Sequence, residues 1–455
     1  MSHARRAEAF QKDAERARWH DETLWQVRSK RDRAAAEVPE WEALREAASQ
    51  IKRHTLSRLD HYLEELETVT QRNGIVVHWA RDGEQHNRIV VGLLRDRGVT
   101  RVVKSKSMLT EECGLNPWLE KQGVEVIDTD LGERIVQLAG ERPSHLVMPA
   151  IHKKREEVDE LFHRTMGTQR SGGDPVYLTR AARKDLRTKF LAAEAGITGV
   201  NFAVAETGEL VICTNEGNAD LGMHLPPIHI ACMGIEKVIP KREHLGVFLR
   251  LLARSATGQP ITSYTSHVAT PQPGREIHLV LVDNGRTEQL ARKDFYTSLS
   301  CIRCAACLNT CPIYRRSGGH SYGSTIPGPI GAILEPGKDL EAHGDLPFAS
   351  TLCGSCSEVC PVKIPIHKQL YRWRQLVTEQ TPGHVMEGGL NRLGAALFRH
   401  PYLFARVARG VRWILRSLPR SWQRRMTGRW GESRDLPGIP KESFQDWART
   451  RRRKP

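Results

Sequence analysis

The chain has 455 residues, of which 39% are hydrophobic and 27% charged, a composition typical of globular proteins and long enough for roughly two to four domains. No run approaches the ~18 apolar residues of a membrane span, and the start lacks the apolar segment of a secretory signal, which favours a cytoplasmic protein. The net charge of +15 is uneven, because residues 392–455 hold 17 Lys and Arg against 4 Asp and Glu.

Residues 1–72 are rich in Arg, Glu, Ala and Lys and nearly lack Gly and Pro, which predicts helices. Apolar residues recur near a helical period at Ile51, Leu56, Leu59, Tyr62, Leu63 and Leu66. We therefore expect an N-terminal helical segment that packs one face against the protein and leaves a charged face in water.

Residues 73–285 alternate between short β-rich runs and helical patterns. Predicted strands are Gly74–His78, Val99–Val103, Val124–Asp128 and His145–Met148; predicted helices are Glu84–Arg97, Leu109–Gln122 with a break at Pro117, and Gly132–Leu138. Two further strands, Phe202–Ala205 and Leu210–Cys213, flank a short turn and predict a hairpin. The alternation predicts an α/β body with a doubly wound parallel sheet.

Residues 286–380 contain seven of the ten cysteines, in two runs. Cys301, Cys304, Cys307 and Cys311 precede Pro312 with the spacing C-x2-C-x2-C-x3-C-P of bacterial ferredoxins. Cys353, Cys356 and Cys360 precede Pro361. Structural zinc does not call for four cysteines in one run, and disulfide frameworks belong to short secreted chains. The spacing therefore predicts an α-helical two-cluster iron–sulfur domain, with an irregular loop at the Gly- and Pro-rich residues His320–Gly337.

In two-cluster ferredoxins the last cysteine of one run binds the other cluster. The first cysteine set is therefore Cys301, Cys304, Cys307 and Cys360, and the second cysteine set is Cys311, Cys353 and Cys356. The motif spacing places the missing eighth ligand at Ser350. The second set is compatible with a [3Fe-4S] cluster, or with a [4Fe-4S] cluster that has a non-cysteine ligand or an open iron.

Residues 381–455 form a basic tail in which Arg399, Arg406, Arg409, Arg412 and Arg416 interrupt an apolar face. That face comprises Leu397, Phe398, Leu403, Phe404, Val407, Val411, Ile414 and Leu415. Pro419, Pro437 and Pro440 should break the helices, and Arg451–Lys454 should be disordered. Such a face suits docking to a partner subunit first, an anionic membrane surface second and nucleic acid third.

Several other residues are candidates for a site in the α/β body. Thr214–Asn218 follows a strand and could hold an anion on its backbone N–H groups, or be a plain turn; Glu216 is its chemical candidate. Lys104, Lys106 and Glu112 either line a pocket or form a solvated strand end and helix start. Cys113, Cys213 and Cys232 lack ligand spacing and should pack in the core. His224 and His229 lack a third metal ligand.

The segment Lys104–Glu112, the cysteine runs with Cys353-Gly-Ser-Cys356, and the tail residues Asp435–Pro437 and Ser443–Trp447 together resemble the LutB family of iron–sulfur subunits in bacterial L-lactate utilisation (LUD) complexes. The resemblance covers nearly the whole chain. It implies partners LutA and LutC, oxidation of L-lactate to pyruvate, electron relay through two [4Fe-4S] clusters, and a body of the ribose-5-phosphate isomerase and CoA-transferase type. It also implies that the shortened second run is a family feature.

These observations predict four segments: residues 1–72, an α/β domain at 73–285, the cluster domain at 286–380, and the tail at 381–455. The favoured function is electron relay in a lactate-oxidising complex, in the cytoplasm or peripherally on the inner membrane face. One alternative is an isomerase- or CoA-transferase-type enzyme with accessory clusters. Another is a redox sensor whose tail binds nucleic acid. The chain has no GxGxxG fingerprint, so hydride chemistry should belong to a partner.

Overall fold

The computed structural model describes residues 2–380, 385–426 and 437–452. These residues belong to two compact units, Met1–Val377 and Thr378–Pro455. Four helices begin the first unit, as the composition predicts: α1 (His3–Gln11), α2 (Ala14–Ala36), α3 (Trp41–Ser57) and α4 (Leu59–Arg72). The side chain of Asp13 caps α2 by accepting the N–H of Arg16.

Ten strands follow in the α/β body. They are β1 (Val76–Ala80), β2 (Arg101–Lys104), β3 (Glu125–Asp128), β4 (Ala195–Gly199), β5 (Phe202–Val204), β6 (Leu210–Thr214), β7 (Ile228–Gly234), β8 (Val238–Ile239), β9 (Tyr264–Val268) and β10 (Glu276–Val282). Six of them form one sheet in the order β1-β10-β7-β4-β2-β3, and every pairing in it is parallel.

Eight helices accompany these strands: α5 (Gly83–Arg95), α6 (Met108–Glu112), α7 (Leu115–Lys121), α8 (Leu131–Ala139), α9 (Arg155–Met166), α10 (Pro175–Leu191), α11 (Asn218–His224) and α12 (Arg242–Thr257). Val90 of α5 and Leu119 of α7 pack with Val280 on one face of the parallel sheet. On the other face, Leu66 of α4 packs with Leu281. The doubly wound parallel sheet is confirmed.

The predicted hairpin is also confirmed, because β5 and β6 pair antiparallel with Phe202 opposite Val211. It belongs to a second sheet, with the order β8-β5-β6-β9, which the sequence did not predict. The predicted strand His145–Met148 is wrong: the segment is irregular. His145 is buried there and its Nδ1 accepts the N–H groups of Val147 and Met148, which bends the chain.

The cysteine region consists of short helices: α13 (Arg286–Ala291), α14 (Ala306–Thr310), α15 (Pro312–Ser317), α16 (Gly328–Lys338), α17 (Leu340–His343), α18 (Ser355–Glu358) and α19 (Ile366–Gln380). Two predictions fail in detail. The break in Leu109–Gln122 falls at Gly114, which has φ +63°, and Pro117 lies inside α7. Residues 328–338 form a helix that is buried over residues 328–336, with Pro329 in the first turn, where its missing N–H costs nothing.

The second unit contains α20 (Val385–Arg399), α21 (Pro401–Ser417), α22 (Arg420–Met426) and α23 (Phe444–Arg452). As predicted, α21 ends before Pro419, and Pro437 and Pro440 are not helical. Arg451 and Arg452 are helical rather than disordered; Arg453, Lys454 and Asp435 lie outside the described residues. Within the described ranges, no helix has the length and apolar character required to cross a membrane.

Candidate functional site

The first cysteine set converges on one small cavity. Cys301, Cys304, Cys307 and Cys360 all line it, and its remaining walls are apolar side chains such as Ile330. Burial raises the pKa of the Cys304 thiol, and the nearby Cys360 and Cys301 raise it further. Burial likewise raises the pKa of Cys360 to about 11. Thiols in such surroundings become thiolates only when a cation is bound to them.

The second cysteine set also lies together. Burial and the neighbouring Cys311 and Cys353 raise the pKa of Cys356 to about 12. Cys311 and Cys356 are buried, whereas Cys353 is exposed. Ser350 is partly buried in the same loop, and its Oγ accepts the N–H of Leu352 at 3.1 Å. The α14 turn carries Cys307 just before Cys311, which places the two sets next to each other.

The backbone around both sets is held in conformations that ordinary residues avoid. Five described non-glycine residues have a left-handed φ, and four of them lie within or directly beside the cysteine runs: Arg303, Ala305, Leu352 and Lys363, at 52° to 62°. Local N–H groups also point at thiols, with Arg303 N 3.4 Å from Cys301 Sγ and Ile364 N 3.4 Å from Cys360 Sγ. Strain of this kind is retained at functional sites, and it fits loops shaped around a cluster.

A buried hydroxyl gives a second indication. Tyr322 is fully buried, and within the described residues its hydroxyl faces the Cys311 thiol rather than an oxygen or nitrogen acceptor. Its neighbour Tyr314 donates to the carbonyl oxygen of Ser144 at 2.6 Å. Buried polar atoms normally have partners, and cluster sulfides accept hydrogen bonds. The donor set, the loop geometry and this hydroxyl together fit an iron–sulfur cluster at each cysteine set.

Sequence patterns alone missed the charged residues that the N-terminal helices direct at the cysteine runs. Arg45 of α3 donates to the carbonyl oxygen of Cys360 at 2.9 and 3.1 Å, and Arg31 of α2 donates to that of Val359 at 3.2 Å. Both arginines are buried. Lys52, seven residues after Arg45 and hence on the same helix face, is buried as well. A signal was present for α3, because Arg45 and Lys52 interrupt the buried face of that helix, which also contains Leu56.

A buried ion network joins the α/β body to the first cysteine run. Glu112, from α6, lies 3.3 Å from Arg286, 3.4 Å from Arg303 and 3.4 Å from Lys338. Burial would raise the pKa of Glu112, but these cations outweigh it and hold the pKa below its ordinary value. Glu236, in the 3-10 turn that follows β7, pairs with the same Arg286. Since Arg303 stands between Cys301 and Cys304, the network fixes that run against the sheet.

A cavity of about 360 Å³ opens at the carboxyl ends of β2, β4 and β7, where parallel α/β sheets usually bind ligands. Lys106, Glu112 and Glu216 line it, as the sequence suggested, and Asp130 joins them. Cys304 also lines the cavity. The cavity therefore extends from the sheet edge to the first cysteine set, which the sequence did not indicate because the two parts lie about 90 to 200 residues apart in the chain.

Lys104 does not line this cavity and is not solvated, so both suggested roles are wrong. Its ammonium is fully buried and lies 2.8 Å from Asp128, 3.1 Å from Glu111 and 3.7 Å from Glu133. Burial opposes the charged form, but these carboxylates raise the pKa of Lys104 well above its ordinary value. Lys104 is therefore a structural ion that anchors the end of β2.

Glu216 is at the cavity mouth and accepts the N–H of Leu131 at 3.0 Å. Removal from bulk water and the nearby Asp130 raise the pKa of Glu216 to about 7, so it can take up or release a proton near neutral pH. Asp130 is 3.9 Å from Lys106. Anion binding by the backbone of Thr214–Asn218 stays a prediction.

The remaining cysteine and histidine candidates pack or form hydrogen bonds within the α/β body. Cys232 is buried in the core, as predicted, and Cys113 and Cys213 are partly buried. His229 is buried and hydrogen bonds with Thr198 at 2.8 Å, while His224 contacts the carbonyl oxygen of Asp220. In the part of the chain that the structure describes, no three His, Cys, Asp or Glu side chains are grouped to hold a single metal ion.

Comparison with known proteins places these features in a family. Family models match the chain as a LUD domain over residues 63–289 and a 4Fe-4S dicluster domain over residues 297–364. A crystal structure of a DUF162 family protein from Deinococcus radiodurans is 14% identical, with a TM-score of 0.28, and covers 49% of this chain and 98% of its own.

Curated relatives resemble the whole chain. A lactate utilization protein B from Bacillus cytotoxicus is 44% identical over 437 residues, which cover 91% of this chain and 90% of the relative. The protein of that name from Shouchella clausii is 41% identical over 447 residues, covering 94% and 92%. The resemblance carried by Lys104–Glu112 and the cysteine runs is thus confirmed, and the chain belongs to the lactate utilization protein B family.

Proposed function

We propose that this protein relays electrons between redox partners during the oxidation of L-lactate to pyruvate. The observation that carries the proposal is the convergence of two cysteine sets, adjacent along α14, in strained loops behind a shell of buried cations. A bound iron–sulfur cluster supplies one-electron transfer. The protein's own residues bury Cys304, Cys307 and Cys360, leave Cys301 partly exposed, and open one wall, at Cys304, to the large cavity.

The proposed ligands are Cys301, Cys304, Cys307 and Cys360 for cluster one, and Cys311, Cys353 and Cys356 for cluster two. Both are proposed as [4Fe-4S] clusters, so cluster two needs a fourth, non-cysteine ligand or an open iron. The exposure of Cys353 supports this, because water can reach that side of the set. A [3Fe-4S] cluster at the second set is the alternative, and its EPR signal in the oxidised state would identify it.

Iron and sulfide counting after anaerobic reconstitution tests the ligand sets. Wild-type protein should bind about eight irons per chain, and Cys304→Ala and Cys356→Ala should each lose about four. Cys232→Ala is the matched control, since it removes a buried cysteine outside both runs, and it should keep the full count. Equal iron content in Cys304→Ala and Cys232→Ala would contradict the assignment.

The cavity favours a second candidate activity, in which the α/β body binds a small organic ligand. Its volume of about 360 Å³ lies in the range of small-molecule sites, and Glu216 supplies a proton-exchanging carboxyl there. Calorimetric titration with L-lactate and pyruvate should show binding that weakens in Glu216→Gln. Turnover by a Cys307→Ala variant would favour the isomerase- or CoA-transferase-type enzyme over the relay. If neither L-lactate nor pyruvate gives a heat of binding, neither of them is the ligand of this cavity.

The proposed partners are LutA-like and LutC-like subunits, with the second unit as the docking segment. Its helix α21 leaves Leu403, Val407 and Ile414 between 41% and 50% exposed, an apolar face that suits an interface. Deleting residues 401–455 should prevent co-purification with the partners. A deletion that instead abolishes salt-dependent liposome flotation while the complex stays intact would favour a peripheral membrane role.

A further inference from the structure

Two lysine ammonium groups lie beside the first cysteine set with no carboxylate of the described residues at ion-pair distance, although the Glu236 carboxylate acts on both from farther away. Lys52, from α3, is 2% exposed, and its Nζ donates to the carbonyl oxygen of Glu236. Lys237 borders the large cavity, and its Nζ donates to the carbonyl oxygen of Cys301 at 3.4 Å. Within the described residues, no ion pair joins either ammonium to a carboxylate.

The acidic groups nearby are already engaged. Glu236 binds Arg286, and Glu112 is shared by Arg286, Arg303 and Lys338. Glu335 lies 3.6 Å from Lys338, so three carboxylates face three cations before the two lysines are counted. A buried charge without a counter-charge is costly, and burial together with Lys237 lowers the pKa of Lys52 to about 8. The site therefore requires additional negative charge.

We propose that Lys52 and Lys237 are the electrostatic partners of the cluster held by the first cysteine set, and that their charges raise its reduction potential. The inference rests on the proposed ligand set. Four thiolates give a bound cluster net negative charge, which grows when it accepts an electron. Fixed positive charges therefore favour the reduced form. Lys52 faces this charge from within the protein, where water screens it little, whereas Lys237 is partly exposed beside the cavity and is screened more.

The second cysteine set lacks this arrangement. The cation that acts on Cys311 is Arg315, which already lies 3.3 Å from the carboxylate of Asp21 and over the ring of Trp25. Cys353 is also open to water. Removing either lysine should therefore affect the two clusters unequally, with the larger effect on the first.

An EPR-monitored redox titration of the full chain tests the proposal. Lys52→Met and Lys237→Met remove the charge while nearly keeping side-chain volume, and each should lower the potential of the first cluster. Arg53→Met and Lys241→Met remove exposed cations close in sequence and should leave it unchanged, as should Lys52→Arg. Recording the titrations in a Cys353→Ala background isolates the first cluster. An unchanged potential in both Lys→Met variants would overturn the proposal.

Urea unfolding gives a second readout that does not depend on electron transfer. In iron-free protein, Lys52→Met should raise the urea midpoint, because it removes an uncompensated buried charge. In reconstituted protein the gain should vanish or reverse. If Lys52→Met raises the urea midpoint equally in iron-free and reconstituted protein, or in neither, Lys52 is not paired with the cluster. If instead Cys304→Ala retains the first cluster, the proposed ligand set is wrong. That result distinguishes an error in the ligand set from an error in the pairing of the lysines with the cluster.

Discussion

Glu236→Gln should destabilise the protein by breaking the ion network that fixes the first cysteine run to the sheet. The Glu236 side chain is 3% exposed and binds Arg286, with Arg303 at 4.0 Å. Gln keeps the shape but removes the charge, so two buried guanidinium groups lose part of their compensation. Burial alone would raise the pKa of Glu236, but Arg286 and its neighbours lower it to about 2.

The shift sets the size of the effect. A fall from an ordinary value of 4.5 to about 2 corresponds to about 3 kcal/mol of stabilisation at neutral pH, which agrees with the ~3–5 kcal/mol lost when one partner of a buried pair is removed. Since the folded pKa is depressed, this contribution is present above about pH 4.5 and is lost as pH falls towards 2. The cost of Glu236→Gln should therefore shrink to about 1.4 kcal/mol at about pH 3.

The assay is urea unfolding of iron-free protein, followed by tryptophan fluorescence and far-UV circular dichroism together, because acid would release the clusters. Glu288→Gln makes the same change at an exposed site close to Arg286 and should cost less than about 0.5 kcal/mol. A cost for Glu236→Gln below about 1 kcal/mol at pH 7, or one that stays constant between pH 7 and pH 3, would refute the reasoning.

Two further changes test the α/β body by the same unfolding measurement. Lys104→Met should cost about 3–5 kcal/mol, since it leaves the buried carboxylates beside it without a counter-charge. Glu133→Gln should cost less, because Asp128 and Glu111 lie closer to the ammonium and because burial, which raises the pKa of Glu133 well above its usual value, weakens the contribution of its charge. Equal costs would contradict this account. Gly196→Ala would place a Cβ 1.8 Å from the carbonyl oxygen of Gly222 and should cost about 3 kcal/mol. The control is Gly222→Ala, whose Cβ meets nothing closer than 3.7 Å, and it should not change the stability. If Gly196→Ala is as stable as the wild type, β4 and α11 can move apart and this account is wrong.

Local sequence patterns predicted the elements whose formation depends on residues close together in the chain. The parallel sheet, the hairpin at Phe202–Ala205 and the helices of residues 1–72 follow from alternation, turn residues and composition. The cysteine spacing indicated two sets because cluster ligation itself demands that spacing. His145–Met148 failed because its apolar letters suit a strand, whereas the imidazole of His145 takes the N–H groups that a strand would use.

The candidate site in the body could be predicted only in part, since burial of charge is decided by tertiary packing. Lys104 and Lys106 are two residues apart in a strand end, yet Lys104 points into an acidic interior and Lys106 into the cavity. Alternation predicts that the two share a face of a strand; the chain leaves β2 at Lys104, which separates them. No sequence pattern predicts that β2 ends at Lys104.

The N-terminal helices are best understood as part of the cluster region, although they are farthest from it in the chain. Leu24 and Ala48 belong to the same apolar core as Cys304, Cys307 and Cys356, and the buried Arg31 and Arg45 bind carbonyl oxygens of the second cysteine run. A ferredoxin-type loop contributes little apolar surface of its own, so it needs a cover that excludes water. Helices α2 and α3 supply this cover together with the positive charge that a cluster requires, which explains why so many cations sit on their inner faces.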